Sequence, residues 1–307
     1  MPNPNDLIDS INSTDVNNAA SKEDKKCAPG KTFEDGSCIS LNVLIEMAKA
    51  HNKECEASND SKNIIKLYPS FETLNRKKYK KYLVMEFKKK YNDVCTTGPV
   101  QKCWLSQPFI KRMQKLQQEE LTKQTFRPDG PQGKFEWLNT LNINDVMKQY
   151  ENKYKDFKFL GAVPMDFDDI TPLGIKELDL TLLQQNGKHR IGIIFNLDES
   201  WKSGSHWVAG YADLNKGDIL YFDSYGTEPE ARVRKFMRRV AKYCESELKI
   251  KSNADHNKVR HQYDGSECGV YSINFILRML RGDSFEEICK SKTPDRVVNK
   301  CRKVYFK

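Results

Sequence analysis

No stretch of this chain approaches the run of about eighteen apolar residues that a membrane-spanning helix needs, which excludes a helical integral membrane protein. The opening MPNPNDLIDSINSTDVNNAASKEDKK lacks the basic-then-apolar pattern of a secretory signal, so export is not expected. The nine cysteines are odd in number and show no regular pairing, which argues against a disulfide scaffold and leads us to expect reduced thiols. No internal repeat and no nucleic-acid-binding signature is visible. No cysteine–histidine set has ordinary zinc spacing. Cys27, Cys38, His51 and Cys55 are ligand types, but ten residues separate the first two, against the usual two to four. The segment CAPGKTFEDGSC reads as a capped turn into a helix. Its cysteines are either buried apolar residues or a local Cys27–Cys38 link formed outside a reducing compartment.

What is present fits a folded chain with polar appendages. The 307 residues, 38% hydrophobic and 10% aromatic, suffice for one large or two medium domains. Residues 1–26, rich in Asn, Asp and Ser, read as a disordered tail. Residues 27–124 carry helical patterns at 40–51 (Leu41, Leu44, Ile45 and Ala48 on one face), 75–91 and 107–123, with loops at 58–63 and 93–106. The Pro- and Gly-dense segment 126–133 reads as a linker into a third region, 125–307.

Charge is uneven. Residues 61–125 hold fifteen Lys/Arg against five Asp/Glu, a net +10 that exceeds the +9 of the whole chain. The clusters at 76–91 and 232–239 are either solvated helix faces or surfaces attracting nucleic acid or acidic proteins.

Downstream of the linker the pattern turns mixed: a helix over 142–154, a short strand at 157–161, a strong strand at 190–197, and a hairpin of 206–213 and 218–223. A basic helix at 229–248, a short strand near 258–262, a helix from Cys268 and a helical tail follow. This order predicts an α+β domain with a mostly antiparallel central sheet.

Within that domain stand residue types for acyl transfer. Gln262-Tyr263-Asp264-Gly265-Ser266-Glu267-Cys268-Gly269 leads into the helix, with His206-Trp207 and Phe222-Asp223-Ser224 upstream. A thiolate is the nucleophile in thiol chemistry, and a first helical turn favours negative charge. His206 is a candidate base, Asp223 its orienting carboxylate, and Gln262 an oxyanion donor beside the Cys268 N–H. A two-residue turn at Asn215-Lys216 would set Asp223 opposite Val208, a diagonal neighbour of His206. Each residue taken alone has an ordinary structural reading; their joint order and spacing point to a cysteine peptidase.

The constellation of His206-Trp207, Asp223 seventeen positions later, and Gln262 six before Cys268-Gly269 resembles the active-site pattern of SUMO-protease-type cysteine peptidases. That clan includes the adenovirus protease and the core-processing proteases of poxviruses and other large cytoplasmic DNA viruses. Trp137-Leu138-Asn139, followed by Ile143, Val146, Met147 and Tyr150, resembles the entry to that family's domain. The resemblance covers residues 126–307 and implies a papain-like architecture. It further implies Cys268, His206 and Asp223 as the triad, Gln262 in the oxyanion hole, and Trp137, Trp207 and Gly269 at a slot for a glycine-glycine substrate tail. Thr140 stands where the family has Asp, at a position that helps engage ubiquitin-like substrates. The whole chain, with its added N-terminal module, therefore looks more like the viral processing proteases than the modifier-removing enzymes. The resemblance implies protein substrates with glycine-containing sites, no metal or organic cofactor, and a place in host cytoplasm and virion. The alternatives are an isopeptidase acting on SUMO or ubiquitin, a same-clan acetyltransferase, and an inactive binding module.

Overall fold

The computed structural model describes residues 26–307; the polar tail expected over 1–26 lies, apart from Lys26, outside the described residues. Two compact units divide the chain, one running to Pro128 with Lys307 added, the other spanning Asp129–Phe306.

The first unit is helical. Helix α1, Leu41–Ala57, is capped by Ser40, whose side chain accepts from the Val43 N–H. Its expected face, Leu41, Leu44, Ile45 and Ala48, is buried in a core with Tyr79, Leu83, Val84 and Phe87 of α2, Arg76–Lys90. The helix expected over 107–123 is broken. A 3-10 turn, Pro108–Arg112, is separated from α3, Lys115–Gln124, by Met113 and Gln114 in extended conformation. Met113 is buried in the core, and the Gln118 side chain donates to its carbonyl at 2.7 Å, which satisfies a group the break leaves free.

The expectation of reduced thiols fails for four cysteines. Cys27–Cys38 and Cys95–Cys103 are disulfides with Cα atoms 5.4 and 5.7 Å apart, within bridging reach. The first is one of the two readings left open for CAPGKTFEDGSC, which folds back through a Glu34–Ser37 bridge. The second crosses the expected 93–106 loop, which holds a short helix, Val100–Leu105. Of Cys27, Cys38 and Cys55, His51 meets only the free thiol of Cys55, Nε2 to Sγ at 3.5 Å. Nδ1 meets the Tyr91 hydroxyl at 2.8 Å and Nε2 the Asn63 carbonyl at 2.9 Å, with Phe87 and Phe109 packed edgewise. Burial holds its pKa down.

The second unit is α+β, built on five strands in the order β1 (Phe157–Val163), β2 (Arg190–Asn196), β3 (Trp207–Asp213), β4 (Asp218–Phe222) and β5 (Asn253–His256). The sheet is mixed rather than mostly antiparallel: the β2–β3–β4 centre is antiparallel, while β1 and β5 join it in parallel. β1 is entered from α4, Thr140–Lys153, which Asn139 caps reciprocally with Asn142. The strand expected near 258–262 lies instead at β5, because residues 257–262 are pulled toward the end of β4. There His261 and Gln262 both donate to the Ser224 carbonyl, at 2.8 and 2.9 Å.

One sheet face, with Ile193, Phe195, Val208 and Tyr221, packs on Val233, Phe236, Met237 and Val240 of α5, Ala231–Ser246. The other receives α6, Cys268–Arg281, an apolar helix ended by Gly282 in the left-handed region. Phe222 stacks on Phe275 there, with centroids 5.0 Å apart.

Candidate active site

The hairpin turn brings the upstream residues together. Gly217 has φ 72°, and a Cβ there would lie 2.5 Å from the Lys251 carbonyl, so the turn requires glycine. The register runs from Asp213–Asp218 to Ala209–Phe222, one step short of the expected Val208–Asp223 pairing. His206 and Asp223 therefore sit just beyond adjoining strand ends. His206 Nε2 donates to Asp223 Oδ1 at 2.6 Å, and both side chains are buried. With Nε2 committed, Nδ1 is the nitrogen left for Cys268.

The carboxylate is itself held. Tyr225 N–H donates to Oδ1 at 2.9 Å and Thr227 N–H to Oδ2 at 3.3 Å. Buried Asn257 accepts from the Asp223 N–H at 2.8 Å and donates to the Asp223 carbonyl at 2.7 Å. Burial works against the Asp223 charge, but His206 and these donors outweigh it, and its pKa lies below the usual carboxylate range. Burial likewise pushes His206 down. Hydrogen bonds to Asp223 and Cys268, with the negative charge of both, win and raise it to about 9. Tyr225 stacks flat on the imidazole, with centroids 4.5 Å apart and planes 10° apart.

Cys268 is buried at the first residue of α6, at the helix end where backbone N–H groups lack intrahelical partners. The loop before it is fixed by polar contacts that sequence reading missed. Buried Glu267 accepts from the Ser266 N–H and hydroxyl at 2.9 and 2.8 Å and from Asn299 at 2.7 Å. Arg302, fully buried, donates to the Ser266 carbonyl at 3.0 Å and to Asn299 at 2.7 Å. Asp295 accepts from the N–H groups of Tyr263 and Asp264.

Gln262 is fully buried. Its Oε1 accepts from the Ser224 hydroxyl at 2.7 Å, and Nε2 donates one N–H to the Asp264 carbonyl at 2.7 Å, which leaves a second amide hydrogen for another acceptor. Ser224 stood in the Phe222-Asp223-Ser224 motif, but its spacing to Gln262 offered no sign of this bond.

The two indoles differ in setting. Trp137 is 52% exposed; Trp207 is buried, and its Nε1–H donates to the Leu138 carbonyl at 2.8 Å. Both line one cleft of about 350 Å³ with Thr140, Pro164, Asn196 and Gly204. Gly269, beside the thiol, packs on two residues of the cleft wall: a Cβ on it would lie 3.1 Å from Leu138 and 3.3 Å from Trp207.

A thiol, an imidazole fixed by a carboxylate, and a buried amide donor are the groups that acyl transfer through a thioester needs. Comparison with known proteins agrees. The Ulp1 protease family, C-terminal catalytic domain, matches residues 188–304. R355 of Acanthamoeba polyphaga mimivirus, a thiol protease by name, is 36% identical over 284 residues, covering 92% of this chain and 93% of that one. A SUMO-1 cysteine protease of African swine fever virus is 28% identical over 254 residues, 75% of this chain and 90% of the relative. The crystal structure of a protease from that virus superposes with a TM-score of 0.59 at 24% identity, over 75% of this chain and 90% of that one, which shows the shared fold. This chain belongs to the Ulp1-type family of cysteine proteases.

Proposed function

We propose that the chain is a cysteine endopeptidase that cuts after small residues, at Gly-Gly-type sites, in structural polyproteins of a maturing virus particle. The observation that carries this is the 2.6 Å bond from His206 to Asp223, a base held by a buried carboxylate, with Cys268 at the first residue of α6. The cleft that Trp137 and Trp207 both line supports a slot for a glycine-glycine substrate tail. Protease relatives from two viruses support a viral setting for this reading, in which the substrate is a structural polyprotein and the place of action is the host cytoplasm and the particle.

In the proposed cycle the Cys268 thiolate attacks the scissile carbonyl carbon, and the oxyanion is met by Gln262 and the Cys268 N–H. His206 gives its proton to the leaving amine as the C–N bond breaks, leaving a thioester. Neutral His206 then takes a proton from water, whose oxygen attacks the thioester carbon. The C–S bond breaks, the acid leaves, and the thiolate–imidazolium pair is restored. None of these steps calls on a metal or organic cofactor.

The basic helix faces are the proposed contact for acidic protein or nucleic acid. Lys77, Lys78, Lys81 and Lys89 of α2 are exposed, whereas in α5 Arg232 and Arg239 are partly neutralised by Asp169 and Asp168. The first cluster is the stronger candidate.

The test compares wild type and Cys268→Ala on short peptides with Gly-Gly or Ala-Gly before the scissile bond, and on ubiquitin and SUMO conjugates. Cys268-dependent cleavage of the peptides is expected. Cleavage of folded conjugates alone would replace the reading with modifier removal, and transfer from acetyl-coenzyme A with no cleavage would replace it with acetyl transfer.

A further inference from the structure

The triad and Gln262 arrive from separate segments, and one exposed side chain touches both sides of the join. Arg260 lies with its guanidinium carbon 5.0 Å from the Tyr225 ring centroid, on the ring that stacks on His206. Its Nε donates to the Gln262 carbonyl at 2.7 Å. Tyr263 covers it as well, with the guanidinium carbon 4.9 Å from that ring centroid, and Lys292 lies 5.8 Å from the same centroid. Imidazole, phenol, guanidinium and phenol thus form one ladder from the buried base to the surface. The turn carrying Tyr225 reaches this segment through Gly226, at φ 76°, where a Cβ would meet the backbone of Val259 and Arg260 at 2.9–3.1 Å. Only glycine allows the two segments to approach this closely.

We infer that Arg260 is a positioning residue that sets the His206 imidazole and the Gln262 oxyanion donor in register with each other. The inference rests on the roles proposed for His206 and Gln262 above. A planar guanidinium suits this task better than an ammonium, since it stacks on a ring face while donating from its edge. Because Arg260 is exposed, its removal leaves the core of the unit untouched.

The test measures peptide cleavage by Arg260→Ala, Arg260→Lys, Tyr225→Phe and Tyr225→Leu, with Tm recorded for each. Arg260→Ala should lower kcat about tenfold with KM within about twofold and Tm unchanged. Lys at 260 should not restore the loss, because it lacks the plane and the Nε donor. Tyr225→Leu, which removes the stack, should fall with Arg260→Ala, and Tyr225→Phe, which keeps it, should lose less than Tyr225→Leu. The double variant Arg260→Ala/Gln262→Ala should lose less than the product of the single losses, since both act on one donor. Wild-type kcat in Arg260→Ala, full rescue by Lys, or multiplicative losses in the double variant would each overturn the inference. Absence of Cys268-dependent turnover in wild type would instead remove the reading beneath it.

Discussion

The Ser224 hydroxyl donates to Oε1 of Gln262 at 2.7 Å, with both groups buried, and so fixes which way the amide presents its N–H groups. Removing the amide by Gln262→Ala should cost roughly 10²–10³ in kcat and leave a trace of activity. Ser224→Ala should cost less, about tenfold, because the amide remains but is free to turn over. Steady-state kinetics on one peptide substrate checks both. A smaller loss at Gln262 than at Ser224 would contradict this assignment.

Asn257 bonds both the N–H and the carbonyl of Asp223, and also the Val259 carbonyl at 3.1 Å. Asn257→Ala strands these buried backbone groups and should destabilise the unit by about 1–3 kcal/mol. Chemical denaturation should show that loss, together with a drop in kcat as Asp223 shifts. Unchanged stability would mean that water replaces the amide at no cost.

The pH dependence follows from two opposite shifts. His206 is raised to about 9, so its contribution to stability is full below its ordinary value near 6.5 and fades as pH climbs through 9. Asp223 is lowered, so its contribution is present above the ordinary carboxylate range and is lost as acid protonates it through that lowered value. The alkaline limb of kcat/KM should accordingly fall near pH 9. In Asp223→Asn the limb should move toward the ordinary histidine value of about 6.5, as a pH–rate series would show.

How far these features could be read in the sequence depended on range. Local periodicity placed α4, α5, α6 and the β3–β4 hairpin, and the turn at Asn215-Lys216 was enough to bring His206 to Asp223. Strand β5 escaped because Asn253-Ala254-Asp255-His256 is largely exposed and shows no apolar alternation. The supports of the site escaped for a different reason. Ser224 with Gln262, Asn257 with Asp223 and Arg302 with Ser266 are polar pairs 34 to 38 residues apart, and no pattern in composition marks a buried hydrogen bond of that range. The helix break at Met113 was hidden because an apolar residue in extended conformation looks the same in sequence as one in a helix.

The disulfides divide the chain's redox response. Cys27–Cys38 and Cys95–Cys103 close loops with sequence separations of 11 and 8, while Cys268 is a free thiol. Opening either loop should cost its unit about 2–3 kcal/mol of stability by the chain-entropy argument. Thermal unfolding of Cys27→Ser and Cys95→Ser against wild type, under non-reducing conditions, should show a lower Tm in each. Equal Tm values would mean that neither link constrains the unfolded chain.

The most direct measurement is intact-mass analysis after incubation with a Gly-Gly peptide carrying a thiol-reactive vinyl sulfone in place of the scissile carbonyl. Wild type should gain one adduct, mapped by digestion to Cys268, and Cys268→Ala should gain none. His206→Ala should label far more slowly. Labelling spread over Cys55, Cys244, Cys289 and Cys301 at rates equal to Cys268, or unchanged in His206→Ala, would contradict an activated Cys268 nucleophile.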